Sequence, residues 1–221
     1  IFDEAIGQGV LRHLTIRHAM ATNQLMVIVT IADSLKYEQS LLDALKTLPN
    51  ITCVYVSKQA DSTNDSVLGE SLTCVLDRNA DGCIHDHVLG LDSRISPRSF
   101  VQANGYMTEV LYQTLIDCLQ WQGNGSLIDL YCGTGLLTMI LAKQGGEVIG
   151  VDNNQSAIDD AVENANRNEL DITFNCQTAE SFLASHDCST STLVLDPPRQ
   201  GIHQSVLDAI VSAQPKIIGM I

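Results

Sequence analysis

The sequence predicts an α/β protein with a mostly parallel sheet, preceded by a smaller α+β domain. After Pro97, short apolar runs alternate with longer amphipathic segments, which is the pattern of βαβ units with right-handed crossovers. Before Pro97, alternating apolar and polar runs follow one another closely, as in paired strands. We therefore expect a central α+β domain over residues 1–95 and a larger domain over residues 96–221.

The elements expected in the first domain follow from two periodicities, two residues for strands and about 3.6 for helices. A polar turn separates the first two runs, and leucines at positions 35, 41, 42, 45 and 48 line one face of a helix. In order, we expect strands at 9–17 and 24–31, a helix at 34–48, a strand at 51–56, a polar loop at 57–71 and a hairpin at 83–91.

In the second domain, helices and strands are expected to alternate strictly, with the chain reaching its fifth strand near residue 221. The predicted helices are 105–120, 136–143, 155–168, 179–185 and 203–213, and the predicted strands are 127–131, 147–151, 171–176, 192–195 and 216–221.

Composition limits the classes of function. Hydrophobic residues make up 45% and charged residues 17% of the 221 residues, which is typical of a globular chain. No run approaches the roughly 20 apolar residues of a membrane span, so no membrane partner is expected. The formal net charge of −14 argues against a broad nucleic-acid-binding face on this chain.

The seven cysteines are spaced singly, without a C-x-x-C pair or a Cys/His spacing of the kind that binds zinc. We therefore expect no metal cluster. An odd number of cysteines without a disulfide framework predicts reduced thiols and an intracellular location, in the cytosol or nucleus if the source is eukaryotic.

A glycine-rich loop, Asp129-Leu-Tyr-Cys-Gly-Thr-Gly135, follows an apolar strand and opens a helix. Such a turn lets the backbone approach a ligand closely, and it could equally hold a dinucleotide. The acidic-x-x-x-Gly-x-Gly spacing, and Thr138 where a dinucleotide loop has its third glycine, favour another nucleoside cofactor. Asp152 ends the next strand and could accept both ribose hydroxyls; the alternative is that it caps the following helix.

The sequence Asp196-Pro-Pro-Arg-Gln-Gly201 follows a buried strand. The acid stands at the carboxyl end of the strand, where open α/β sheets bind ligands, and two prolines stiffen the loop and remove N–H donors. Enzymes that modify a flipped base use such loops to hold it. The alternative is a rigid strand-to-helix turn without a ligand.

Together with Phe100-Val-Gln-Ala-Asn104, these two motifs resemble, in order and spacing, the uracil-C5 RNA methyltransferases, which form 5-methyluridine in tRNA and ribosomal RNA. Upstream segments at 11–17, 51–55, 83–86 and 89–91 are most similar to the eukaryotic tRNA branch. The resemblance implies a class I S-adenosylmethionine-dependent methyltransferase domain behind a smaller central domain. It also implies an RNA partner, tRNA first and 23S ribosomal RNA as the alternative.

The resemblance also assigns roles to single residues. Asp152 stands where the family has its ribose-binding acid, usually Glu, and Leu136 stands where many members have a polar cofactor contact. Asp196 would lie between cofactor and target base and support catalysis. The implied cofactor residues are Gln102, Tyr131, Gly133, Gly135, Leu136, Asp152, Thr178, Ala179 and Asp196, and the implied substrate residues are Phe100, Pro197, Pro198 and Arg199.

The chemistry needs a cysteine thiolate that adds to C6 of uracil and a base that removes the C5 proton. In the family the cysteine follows the fifth strand and the base is a later glutamate, so both are expected beyond Ile221 and no catalytic residue within the chain. Cys132 is expected to be a small packing residue. The chain alone is then expected not to methylate RNA.

Three other interpretations remain open from the sequence. One is a methyltransferase of another substrate class, such as an enzyme that methylates amino groups. The second is an NAD-dependent oxidoreductase, and the third is a degenerate RNA-binding paralogue without catalysis.

Overall fold

The computed structural model describes residues 9–32, 38–59, 67–69, 71–102, 104–198 and 200–221. The chain forms two compact units, residues 1–87 with 94–98 and residues 88–93 with 99–221. The division at 98/99 lies close to the boundary expected at 95/96. Residues 88–93, expected in the first domain, group with the second unit.

The first unit contains a four-stranded sheet in the order β1-β2-β3-β4. β2 and β3 are parallel, which the helix between them permits, and the two outer pairs are antiparallel. The elements of this region are β1 (Leu11–Ala19), β2 (Gln24–Ile31), α1 (Glu38–Lys46), β3 (Ile51–Lys58), β4 (Ser71–Asp77), β5 (Ile84–Val88) and β6 (Leu91–Ile95). The sequence analysis predicted β1, β2, α1, β3 and, as part of the hairpin at 83–91, β5. It missed β4, and the predicted hairpin ends where β6 begins. β5 and β6 form a separate two-stranded sheet.

Asp86 on β5 fixes the turn between β1 and β2. Its Oδ2 accepts a hydrogen bond from the backbone N–H of Met20 at 3.0 Å, and its Oδ1 accepts one from Ala21 at 2.7 Å. The carboxylate is buried, so these bonds replace the water that it loses on folding.

The second unit is a parallel five-stranded sheet in the order β11-β10-β7-β8-β9. The predicted alternation of helices and strands is confirmed, with ends displaced by at most two residues. The elements are α2 (Gly105–Leu119), β7 (Ser126–Leu130), α3 (Leu136–Ala142), β8 (Glu147–Asp152), α4 (Gln155–Arg167), β9 (Thr173–Cys176), α5 (Ala179–Ser185), β10 (Thr192–Leu195), α6 (Gln204–Ala213) and β11 (Ile217–Met220).

Helices cover both faces of this sheet. Side chains alternate along each strand, so each strand contributes apolar residues to the cores on both faces. Leu127 and Val148 belong to one buried cluster, with residues of α2, α3 and α4. Ile128 and Val151 belong to a second, with residues of α5 and α6. Strands buried on both sides explain why their sequences are continuous apolar runs.

The strand order reverses direction beside β7. The chain runs from β7 to β8 and β9 on one side, then returns to place β10 on the other side of β7. In open α/β sheets, ligands bind outside the carboxyl ends of the strands at such a switch point. The loops after β7 and β10 and the end of β8 therefore meet where a ligand is expected.

Within the described ranges, no helix has the length and apolar character needed to cross a membrane. The same residues contain no cluster of three or more His, Cys, Asp or Glu side chains able to hold a metal ion. All seven cysteines are free; Cys74, Cys118 and Cys176 are exposed and the other four are buried.

Candidate cofactor site

The loop after β7 is held in an unusual backbone conformation. Tyr131 has a φ of 67°, in the left-handed region that side chains other than glycine rarely occupy. The next residue is tied to β8, because the N–H of Cys132 donates to the carbonyl of Val151 at 3.1 Å. The strand therefore ends at Leu130, one residue before the predicted end, and the strained Tyr131 belongs to the loop. Strain of this kind is concentrated at functional sites.

The two glycines of this loop serve different purposes. A Cβ on Gly133, which has a φ of 54°, would meet nothing within 4 Å, so this position opens into free space where a ligand can approach the backbone. A Cβ on Gly135 would lie 3.0 Å from the Cβ of Ala161 on α4 and 3.0 Å from the ring of Phe174 on β9. Gly135 therefore allows close packing of the start of α3, and Gly133 is the glycine that fits a cofactor.

Asp152 turns its carboxylate toward the same loop. Its Oδ2 accepts a hydrogen bond from the N–H of Gly133 at 3.0 Å, and its Oδ1 accepts one from Asn154 at 2.8 Å. The N-cap of α4 is Asn154, whose side chain accepts from Ser156 N–H. The capping role weighed for Asp152 is therefore filled by another residue, and its carboxylate lines a cavity.

That cavity, of about 250 Å³, lies between the loop after β7, the end of β8 and the starts of α5 and α6. Thr178 caps α5 through its side chain, and Ala179 is the first residue of that helix. The predicted site residues that line the cavity are Tyr131, Asp152, Thr178, Ala179 and Pro198.

The polar residues of this cavity that sequence reasoning missed include Glu180, Gln200 and His203. His203 caps α6 by accepting from the N–H of Ser205, and the hydroxyl of Ser205 donates to Glu180 at 3.3 Å. These residues follow β9 and β10, so their position after strand ends was the signal that could have identified them.

The segment before α2 reaches the loop after β10 through one hydrogen bond. The Nε2 of Gln102 donates to Oδ2 of Asp196 at 3.1 Å. Burial raises the pKa of the half-buried Asp196, and the bond from Gln102 opposes that shift. Two predicted motifs, widely separated in sequence, therefore meet at the carboxyl end of β10.

The residues assigned to substrate lie toward solvent. Phe100 is 73% exposed, which is unusual for a phenylalanine and leaves its ring free to contact a base. Pro197 is half-buried and Pro198 is exposed. Arg199 lies outside the described residues.

Asp129, the first residue of the loop motif, is buried in the sheet with an exposed fraction of 1%. Its Oδ2 accepts a hydrogen bond from Oγ1 of Thr138 at 2.6 Å, and its Oδ1 has no partner. Burial raises the pKa of this carboxyl to about 7, the hydroxyl of Thr138 opposes the rise, and Asp196 and Asp152 add to it.

Two residues near the loop, Leu136 and Cys132, pack in the protein interior. Leu136 is partly buried against the cluster formed with α2, α3 and α4, and it does not line the cavity. Cys132 is buried, and burial together with Asp129 and Asp152 raises the pKa of its thiol well above the usual range. A thiol that stays protonated at neutral pH suits the packing role predicted for Cys132.

Comparisons with known proteins agree with this geometry. Residues 122–216 match the family model described as a methyltransferase domain. An uncharacterized RNA methyltransferase of Listeria monocytogenes is 34% identical over 220 residues, which are 97% of this chain and 48% of that protein. One from Caldanaerobacter subterraneus is 30% identical over 224 residues, 99% of this chain and 49% of that protein. The chain thus spans about half the length of the curated relatives it matches.

Two solved structures show the same fold. The tRNA (uracil-54, C5)-methyltransferase of Pyrococcus abyssi, crystallised with S-adenosyl-L-homocysteine, aligns with a TM-score of 0.77 at 24% identity, over 100% of this chain and 51% of that one. A SAM-dependent methyltransferase of Agrobacterium tumefaciens aligns with a TM-score of 0.58 at 19% identity, over 97% and 72% of the two chains.

The residues present fit S-adenosylmethionine, since Gly133 leaves free space beside the loop backbone and Asp152, whose carboxylate is bonded to the N–H of Gly133, lines the cavity together with Thr178 and Ala179. Residues 122–216 match the model of a methyltransferase domain, and they lie in a unit with the class I S-adenosylmethionine-dependent methyltransferase fold.

Proposed function

We propose that the protein is an RNA methyltransferase that transfers a methyl group from S-adenosylmethionine to C5 of uridine, with tRNA as its substrate. The observation that carries the proposal is the hydrogen bond from Gln102 to Asp196. It joins the Phe-x-Gln-x-Asn segment to the Asp-Pro-Pro loop at the switch point, beside the loop of residues 129–135. This contact supports the proposal that the three motifs resembling the uracil-C5 family belong to one site.

The relatives support the RNA part of this proposal, because those compared are named RNA methyltransferases. The match of residues 122–216 to a methyltransferase domain favours a methyl donor over NAD. The C5 position and the choice of tRNA rest on the motif resemblance, which agrees with the printed activity of the Pyrococcus abyssi neighbour.

In this proposal the cavity residues bind the nucleoside part of the cofactor. Asp152 holds the ribose hydroxyls, and Thr178 and Ala179 border the adenine. S-adenosylmethionine supplies the methyl group when bound. The prolines 197 and 198 expose no N–H groups, so the loop presents carbonyls and flat apolar surface to a planar base.

On the side of the target base, the hydrogen bond from Gln102 orients the carboxylate of Asp196 between the cofactor and the base. Uracil C5 is a weak nucleophile until a thiolate adds to C6, and Cys132, with its raised pKa, is unsuited to that step. The proposal therefore takes the nucleophile and the base from sequence beyond residue 221, and it expects the 221-residue chain alone to leave RNA unmethylated.

The test uses the full-length protein with S-adenosylmethionine carrying a labelled methyl group and with tRNA or ribosomal RNA transcripts. Mass spectrometry of the digested RNA should find 5-methyluridine in tRNA. A tRNA containing 5-fluorouridine should remain covalently attached to the protein, because fluorine cannot leave as a proton does. A labelled methyl group on an exocyclic amine would contradict the proposal, and 5-methyluridine only in ribosomal RNA would contradict the choice of tRNA.

A matched pair of variants tests the observation that carries the proposal. Gln102→Ala removes the bond to Asp196 and should lower kcat by roughly tenfold or more, since misplaced groups lose rate steeply. Gln113→Ala removes an exposed bond to Asp117 on α2 and should leave kcat unchanged. Equal rates for the two variants would show that the Gln102 contact has no part in the reaction.

A further inference from the structure

Three carboxylates project from neighbouring strands at the switch point. In the sheet, Asp129 on β7 stands opposite Val194 on β10 and Gly150 on β8. Asp196 and Asp152 come two residues after these partners, and side chains two residues apart point to the same face. Asp129, Asp152 and Asp196, which we call the acidic triad, therefore lie near the carboxyl ends of three neighbouring strands, and the two outer acids both raise the pKa of Asp129.

The acidic triad lacks a described counter-charge. The groups that face Asp129 are Thr138 from α3, Tyr112 from α2, Cys132 from the loop and the two other acids. Burial first, and then neighbouring carboxylates, raise the pKa values of Tyr112 and Cys132, so both stay neutral. No basic side chain is among the described groups that shift the pKa of Asp129.

Asp129 occupies the middle position of the triad. β7 lies between β8, whose Asp152 faces the nucleoside cavity, and β10, whose Asp196 lies beside the loop assigned to the base. The group that moves from cofactor to base must lie between those two ligands, above the end of β7. Asp129 is the last residue but one of β7, and its buried Oδ1 has no hydrogen-bond partner among the described residues.

The methyl donor and its product differ in charge. S-adenosylmethionine carries a positive sulfonium, whereas S-adenosylhomocysteine carries a neutral thioether. We propose that the acidic triad is the counter-charge of the sulfonium, and that Asp129 holds a proton in the free protein and releases it to solvent when the cationic donor binds. The inference rests on the proposed cofactor function, and it makes Asp129 a residue that selects donor over product.

The affinity for the donor should depend on pH, because binding of the donor releases the proton of Asp129. Below pH 7 the donor must displace a proton from Asp129, whose pKa is about 7, so donor affinity rises with pH and levels off above that value. The product leaves the proton in place. Donor and product share the same amino, carboxyl and ribose groups, so the ratio of their dissociation constants isolates the effect of the sulfonium.

The experiment is isothermal titration calorimetry on the full-length protein at pH 6, 7 and 8, in phosphate and in Tris, whose ionisation enthalpies differ. The ratio of the Kd for S-adenosylhomocysteine to the Kd for S-adenosylmethionine should rise by roughly tenfold from pH 6 to pH 8. Proton release should accompany only the donor. Sinefungin, which has a protonated amine in place of the methylsulfonium, should behave as the donor does.

Asp129→Asn keeps the size of the side chain and removes its titration, so the ratio should become independent of pH. Asp159→Asn, an exposed change on α4, should behave as the wild type does. Equal proton release with donor and product, or a tenfold rise retained by Asp129→Asn, would overturn the inference while leaving the cofactor function intact. Absence of binding by every ligand would overturn both the inference and the proposed cofactor function. If Asp129→Asn fails to fold, the comparison of S-adenosylmethionine, S-adenosylhomocysteine and sinefungin with the wild type tests the inference.

Discussion

Gly133 and Gly135 are separated by one residue, yet the atoms packed around them give the two glycines different roles. Both have positive φ, but only Gly135 has atoms of other elements where a Cβ would lie. The sequence predicts that this loop approaches a ligand, and it predicts the same role for both glycines. Ala161 and Phe174, which distinguish them, belong to α4 and β9, so the distinction needs the folded structure.

Replacing each glycine by alanine should separate folding from binding. Gly135→Ala should lower the free energy of unfolding by about 2–4 kcal/mol, because a strained φ adds to overpacking against Ala161 and Phe174. Gly133→Ala should lower it by only about 1 kcal/mol, yet it should weaken S-adenosylmethionine binding more than tenfold. Urea denaturation and calorimetry measure the two effects, and equal destabilisation by the two changes would refute the division of roles.

At the scale of elements, the turn between β1 and β2 depends on a side chain from β5. Asp86→Ala leaves the N–H groups of Met20 and Ala21 without their acceptor and should lower the free energy of unfolding by about 2 kcal/mol. The control is Asp43→Ala on α1, an exposed acid that should change stability by less than about 0.5 kcal/mol. Denaturation monitored by circular dichroism tests the pair, and an Asp86→Ala variant as stable as the control would contradict the assigned role.

The elements that sequence predicted best are those whose signal is local. The βαβ region was predicted because each buried strand and each amphipathic helix is recognisable by itself. β4 was missed because it is an outer strand with a largely exposed surface, and it pairs with β3 across a long intervening segment. Tyr131 was placed in β7 because it continues an apolar run, whereas its positive φ removes it from the strand.

The same reasoning explains which residues the sequence proposes for the candidate site and which cavity residues it misses. The motif residues Asp152, Asp196 and Gln102 stand out because their type and spacing are unusual in sequence. Glu180 and His203 carry no such pattern, and they reach the cavity only because the starts of α5 and α6 converge there.

At the scale of the whole molecule, the charge balance limits the contribution that this chain can make to the proposed binding of RNA. It has 26 acidic and 12 basic residues, so phosphate contacts must be few. The 221-residue chain alone should bind tRNA weakly, and the slope of log K against log salt concentration should be shallower than about −3. Filter binding between 50 and 200 mM salt measures the slope, and a value near −6 would show that this chain holds a basic RNA surface.

The exposed thiol of Cys176 offers a site for a fluorescent label. Cys176 ends β9 with an exposed thiol, and its Sγ donates a weak hydrogen bond at 3.8 Å to the carbonyl of Asn153, which lines the nucleoside cavity. With Cys74 and Cys118 changed to serine, Cys176 becomes the only exposed cysteine. A fluorophore attached there would stand beside the cavity wall, where its emission could follow cofactor occupancy in real time without a label on the ligand.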